Sequence, residues 1–161
     1  MVLFEWDFGD GGTASSTLTP FHTYADNGVY TVTLTVTDDQ DGADRDTLLL
    51  TVENVTPEVA AGADQIVSED DVVSLDPATF IDPGLADTHT ATVDWGDGTV
   101  EAATVNQEAH TVSASHVYTA PGTYTVTVSV TDDDGGTGSD TFTVTVGRVY
   151  LYLPVIMKGS Q

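Results

Sequence analysis

Residues 28–39, GVYTVTLTVTDD, return as residues 122–133, GTYTVTVSVTDD, and the reading of this stretch decides the fold. Tyr30, Val32, Leu34 and Val36 alternate with Thr31, Thr33, Thr35 and Thr37. In the second copy Tyr124, Val126, Val128 and Val130 alternate with Thr125, Thr127 and Ser129. A period of two, with small hydroxyl residues on the other parity, predicts strands with one buried and one wet face. A further alternating run follows each: Leu48, Leu50, Val52 in one case and Phe142, Val144, Val146 in the other. Between them stand turn signals, Asp26-Asn27-Gly28, Asp41-Gly42, Ala120-Pro121-Gly122 and Asp134-Gly135-Gly136. No segment carries a capped 3.6-residue apolar stripe. The pattern predicts an all-β chain built from antiparallel sandwiches.

The duplication extends outward from these strands. Trp6-Asp7-Phe8-Gly9-Asp10-Gly11 pairs with Val93-Asp94-Trp95-Gly96-Asp97-Gly98, and His22, Tyr24 and Gly28 pair with His116, Tyr118 and Gly122. Motifs that return twice in the same order mark a tandem repeat. They resemble the PKD domain, whose signature is W-D-F-G-D-G followed by the H-x-Y and V-T-V-T-V-T-D-D stretches. The resemblance covers nearly all of residues 1–147. It implies two tandem immunoglobulin-like β-sandwiches, and a non-catalytic role as spacer, adhesion unit or accessory domain of an extracellular or cell-surface protein.

The expected division is residues 1–55 for an incomplete first unit, 56–147 for a complete second unit and 148–161 for a strand-forming tail. Residues 57–87 are similar to the opening strands and acidic loop that precede the signature in the family. The first unit has only Met1–Glu5 ahead of Trp6, so about two strands are expected to be missing and an apolar groove left open. In the tail, Val149, Leu151, Leu153, Val155 and Met157 fall on one parity, with Tyr150, Tyr152 and Ile156 on the other. Apolar side chains on both faces suit a strand buried on both sides, and Pro154 restricts it to an edge or a bulge. These two anomalies predict head-to-tail assembly, the tail of one chain entering the first unit of the next. The alternatives are a tail that completes its own chain, or one that serves as a connector, sorting signal or surface-attachment element. The alternative function is a calcium-stabilised spacer or a module adhering to protein or to surface glycans.

Composition narrows the partners. The 161 residues include 26 Asp plus Glu against 3 Lys plus Arg, a net charge of −23. Such a chain does not release counterions from phosphate, which argues against nucleic acid, and it is not drawn to anionic lipid headgroups. There is no apolar run of membrane-spanning length, so no membrane insertion is expected. With no cysteine, disulfides and thiolate chemistry are excluded.

Acidic loops are the chemistry-bearing features. Asp38-Asp39-Gln40-Asp41 and Asp132-Asp133-Asp134 occupy matching turns, and Asp82 and Asp87 flank the loop before the second signature. Clustered carboxylates on loops suit Ca2+, which takes six to eight oxygen ligands. The resemblance implies that role for Asp82, Asp87 and Asp132, with Asp133 the alternative to Asp132; as plain turn residues they would instead bond their own backbone. Asp7/Asp10 and Asp94/Asp97 read as turn aspartates rather than a duplicated carboxylate pair of a hydrolase, and Gly-x-Ser-x-Gly and phosphate-cradling loops are absent, so no enzyme is expected. His22 and His116 are expected to bond loop backbone, Tyr30 and Tyr124 to lie in the core, and Trp6 and Trp95 to face different environments.

Overall fold

The computed structural model describes residues 2–75 and 78–148. The tail residues proposed for assembly, Val149 to Met157, lie outside the described residues. Among the described residues fourteen strands are formed: β1 (Leu3–Asp7), β2 (Thr13–Ser15), β3 (Gly28–Thr37), β4 (Ala43–Val52), β5 (Glu58–Ala60), β6 (Gln65–Ser68), β7 (Val72–Ser74), β8 (Ala78–Ile81), β9 (His89–Asp94), β10 (Val100–Asn106), β11 (Thr111–Ser113), β12 (Ser115–Val117), β13 (Gly122–Asp132) and β14 (Thr137–Gly147). Both duplicated stretches, together with the runs that follow them, become long antiparallel hairpins. β3 pairs with β4 from Gly28↔Val52 to Thr37↔Ala43, and β13 pairs with β14 from Gly122↔Val146 to Thr131↔Thr137. In each repeat the strand before the signature turn joins the hairpin, as β1 on β3 and β9 on β13.

The second repeat is a closed sandwich. Val100–Ala103 of β10 pair with β9, while Thr104–Asn106 pair with β11, so the sheet turns over along this strand. The order β5-β8-β11-β10-β9-β13-β14-β6 therefore folds one half of the sheet over the other, with β7 and β12 forming a small ribbon beside it. Val126, Val128, Val130, Phe142 and Val144 face Val73, Leu75, Ala78 and Phe80 in a single core closed around Trp95. The alternation in the sequence is thus the alternation of this core, since one parity of each strand points inward.

Among the described residues, the first repeat has one layer, the four-stranded sheet β2-β1-β3-β4. Strands equivalent to β5, β6, β7, β8, β11 and β12 do not occur among the described residues of this repeat. Its apolar face is correspondingly bare. Leu48 is 52% exposed where its counterpart Phe142 is 3% exposed, and Leu50 is 38% exposed where Val144 is fully buried. What remains packed is the end of the sheet near Phe8 and Val32, both buried.

Equivalent substitutions should therefore differ sharply in cost. Phe142→Ala is expected to lose about 3–5 kcal/mol by opening a cavity. Leu48→Ala in dilute chain should stay within about 0.5 kcal/mol. Urea denaturation of the two variants checks this difference.

Candidate metal centre

An aromatic ladder fixes each signature turn. In the second repeat Trp95 stacks on His116, His116 meets Tyr118 edge-on, and Tyr118 stacks on Tyr124. In the first, Phe8, His22, Tyr24 and Tyr30 repeat the series. The Tyr118 hydroxyl donates to the Trp95 carbonyl at 2.7 Å, and burial pushes it up to about 12. The Tyr24 hydroxyl donates to the Phe8 carbonyl in the same way. Gly9 and Gly96 have φ of +84° and +77°, and a Cβ there would collide with the backbone of Thr31 or Thr125, so only glycine lets the turn lie against the neighbouring strand.

The two histidines correct the sequence reading. They bond carboxylates, not loop backbone: His22 Nε2 lies 2.6 Å from Asp10 Oδ2, and His116 Nε2 lies 2.7 Å from Asp97 Oδ2. The remaining carboxylate oxygens cap the turn, Asp10 Oδ1 accepting from the Gly12 amide and Asp97 Oδ1 from that of Thr99. Asp7 and Asp94 accept from Gly9 and Gly96. The four aspartates that might have been taken for paired catalytic carboxylates are thus engaged in turns. Trp95 is enclosed, with its Nε1 donating to Glu101, whereas Trp6 is half-buried and donates to the Thr17 carbonyl, so the two do face different environments. Tyr30 and Tyr124 are half-buried at the end of the ladder, with hydroxyls donating to the Asp26 and Ala120 carbonyls.

The calcium candidates gather at the junction between the repeats. β4 ends at Val52, and the connection 53–57 leads directly past the turn between β13 and β14. Asn54 Nδ2 donates to Asp132 Oδ2 at 2.8 Å, and the Ala86 amide donates to the Ala25 carbonyl at 3.1 Å. The turn itself is built on Asp132, whose Oδ1 accepts the amides of Asp134 and Gly136. Asp38 does the same for Gln40 and Gly42 at the opposite end of the first repeat. Facing Asp132 is the loop before β9, where Asp82 Oδ1 accepts the Gly84 amide.

Three of the four candidates converge. Carboxylate oxygens of Asp82, Asp87 and Asp132 lie within 4.8 Å of one another. A second triad of the same compactness joins Asp87 to Asp26 of the first repeat and Asp134. Asp133 belongs to neither; its Oδ1 accepts the Thr88 amide at 2.9 Å and so ties the two loops together. Asp26 and Asp134 were not singled out from the sequence, because Asp26 sits in a turn signal and meets Asp134 only across the junction.

The electrostatics are one-sided. Burial, and then the charges of Asp82, Asp133, Asp26 and Asp132, push the Asp87 carboxyl above the ordinary carboxylate range. The two arginines of the described residues are remote, Arg45 near the far end of β4 and Arg148 just past the far end of β14. The nearest group able to carry positive charge is His89, buried and bonded through Nε2 to Asp82 Oδ2 at 3.0 Å, with Nδ1 facing Gln107 Oε1. Asn27 Oδ1, in a cleft of about 160 Å³ that Asp26, Gly84 and Asp87 also line, is buried without a hydrogen-bond partner. A Cβ on Gly84 would meet the Asp87 carboxylate, so a larger residue there would shift that side chain. Hard oxygen donors, mutual repulsion and an orphaned amide oxygen beside them make a donor set that fits Ca2+.

The turn carboxylates give a separate acid response. The His22 bond, followed by the Gly12 amide, holds Asp10 below its ordinary value. At Asp97 burial pushes upward, but the His116 and Thr99 bonds outweigh it and leave the group lowered. A folded value below the unfolded one adds stability that is present above the unfolded value and lost as pH falls through the folded one. Asp97→Asn should therefore cost about 1 kcal/mol at pH 7 and make the acid loss of stability below about pH 4 shallower, as read from urea midpoints across pH.

Several solved structures are similar to this chain. Fibronectin(III)-like modules of Clostridium thermocellum CbhA are similar over 97% of this chain and 83% of theirs, at 19% identity and a TM-score of 0.48. The PKD1 domain of Vibrio anguillarum Epp is similar over 60% of this chain and all of its own, at 24% identity and a TM-score of 0.39. A tetra-tandem repeat in the extending region of a large adhesion protein is similar over 90% of this chain and 41% of its own, at 19% identity and a TM-score of 0.47. The PKD domain family model matches residues 1–52 and again residues 54–146, the two repeats that carry the signature turn, its histidine clamp and the long hairpin. The chain belongs to the PKD domain family.

Proposed function

We propose that this chain is a calcium-stiffened spacer of adhesion type in an extracellular or cell-surface protein, in which a cation at the junction holds two PKD-type units in line. One observation carries the reading: the two carboxylate triads share Asp87 and draw on both repeats, Asp26 from the first and Asp82, Asp87, Asp132 and Asp134 from the second. Bound calcium would supply the positive charge that the surrounding side chains lack. The protein supplies the positioning. Asp82 is oriented by His89 and the Gly84 amide, and Asp132 by Asn54 and its own turn. Asp87, the shared ligand, has its ionised form disfavoured until a cation offsets its neighbours.

A second reading, a filament or surface-assembly subunit joined head to tail through residues 149–157, is favoured by the bare face of β4. In both readings the chain is a non-catalytic structural module.

The sign of the Asp87 shift makes the first reading testable. A folded value above the unfolded one adds stability only at low pH and loses it as pH rises through the folded value. At pH 7 without metal, Asp87→Asn should therefore raise Tm. In the unsubstituted chain, saturating CaCl2 should raise Tm by at least about 5 °C relative to EDTA, and Asp87→Asn should abolish that increment. Equal melting curves in calcium and EDTA would remove the metal from the account.

A further inference from the structure

The first sheet has a second face, opposite Leu48 and Leu50, and it carries the polar side chains. Ser15, Glu5, Thr35 and Arg45 stand side by side across its four strands, and Thr13, Asp7 and Thr33 form the next row. These residues line a cavity of about 520 Å³. Thr33 and Thr35 are half-buried there and the other five are exposed. The alternation of each strand turns this side away from the apolar one, so whatever lies against the leucines leaves the cavity open. Its volume is within the range of small-ligand sites.

Two observations separate the cavity from an ordinary solvated sheet face. Its polar groups are uncommitted. Among the described residues the Arg45 guanidinium makes no ion pair, and the Glu5 carboxylate and the four hydroxyls make no hydrogen bond. Asp7 uses one oxygen, to accept from the Gly9 amide. The strands do not require these residues either. The second repeat builds the same face in the same register with Thr92 for Glu5, Ala102 for Ser15, Val100 for Thr13 and Ser139 for Arg45.

We infer that this cavity binds a neutral glycan through the hydroxyls of one or two sugar rings. Each sugar hydroxyl donates one hydrogen bond and accepts others. Glu5 and the second oxygen of Asp7 accept, the Arg45 guanidinium donates, and the serine and threonine hydroxyls do either. Bonds to the three charged groups are the stronger ones. Glu5 and Arg45 stand on either side of Thr35, two inter-strand spacings or about 10 Å apart along the sheet, so a ring over Thr35 is held from both sides. Other ligands fit worse. An anion would meet two carboxylates for one guanidinium, in a chain of net charge −23. A cation would meet Arg45, and among the described residues Glu5 and Asp7 belong to no compact triad of ligating groups. An extended peptide would find no backbone to pair with, because β1 and β3 each have a strand on both sides. The cavity shares no residue with the carboxylate triads at the junction, so the inference stands independently of calcium.

The test is a glycan array probed with the whole chain. It carries neutral oligosaccharides of glucose, galactose, mannose and N-acetylglucosamine beside uronate and sialylated ones, and the tightest-binding oligosaccharide is then titrated calorimetrically. The expected result is binding to a neutral class that weakens by about tenfold or more in Arg45→Ser and in Glu5→Thr, each of which removes a charge-assisted contact. Both variants introduce the residue that the second repeat carries at that position, so Tm should not change. Ser139→Ala, on the matching face of the second repeat, should bind like the parent chain. Binding to no neutral glycan would overturn the inference, and preference for uronate or sialylated glycans would overturn the ligand class. Neutral-glycan binding that survives both substitutions would overturn the site.

Discussion

A sheet with one apolar face needs a second layer, and among the described residues only the second repeat has one. Where the second layer exists, Trp95, Val128 and Phe142 are enclosed and the repeat has a core. Where it does not, the same alternating pattern leaves leucines at the surface, and only the aromatic ladder at Phe8, His22, Tyr24 and Tyr30 keeps the end of the sheet packed. The ladder is local: each ring is held by a neighbour in the same turn or strand end. It therefore survives in a repeat that lacks the opposing sheet.

The second constraint is electrostatic and sits between the repeats. The turn that closes β13 onto β14, the loop that enters β9 and the turn that leads into β3 meet at one place, and each brings carboxylates, while the connection from β4 brings Asn54. Hydrogen bonds to backbone amides satisfy one oxygen of Asp82, of Asp132 and of Asp133, which is what turns ask of aspartate. They do not neutralise the charge. Asp87 bears the consequence, being disfavoured as an anion by burial and by four neighbouring carboxylates. Under the proposed reading, a cation bound there would offset these charges and draw the two repeats together.

Much of the fold was legible because strand alternation and turn chemistry were strong and repeated. Tyr124 to Val130 point inward as their parity requires, and the pairing of Trp6 with Val93 and of Phe8 with Trp95 correctly placed the two tryptophans in different settings. The opposing layer was not legible in full. β5, β6, β7 and β8 are three or four residues long, too short to show a period. The carboxylate cluster was half legible. Asp82, Asp87 and Asp132 came from family resemblance, whereas the Asp26–Asp134 contribution depends on how the two repeats meet. The histidine clamps were missed for a different reason. Asp10 and His22 are twelve residues apart but Asp97 and His116 are nineteen apart, because β10 and β11 intervene, so the same bond has no constant spacing to betray it.

The central claim is that calcium fixes the junction of the two repeats, and small-angle X-ray scattering of the chain in calcium and in EDTA tests it most directly. The account predicts a narrower distance distribution and a smaller spread of conformers in calcium, with the Asp87→Asn chain indifferent to the ion. Superimposable scattering curves for the unsubstituted chain in both conditions would contradict it.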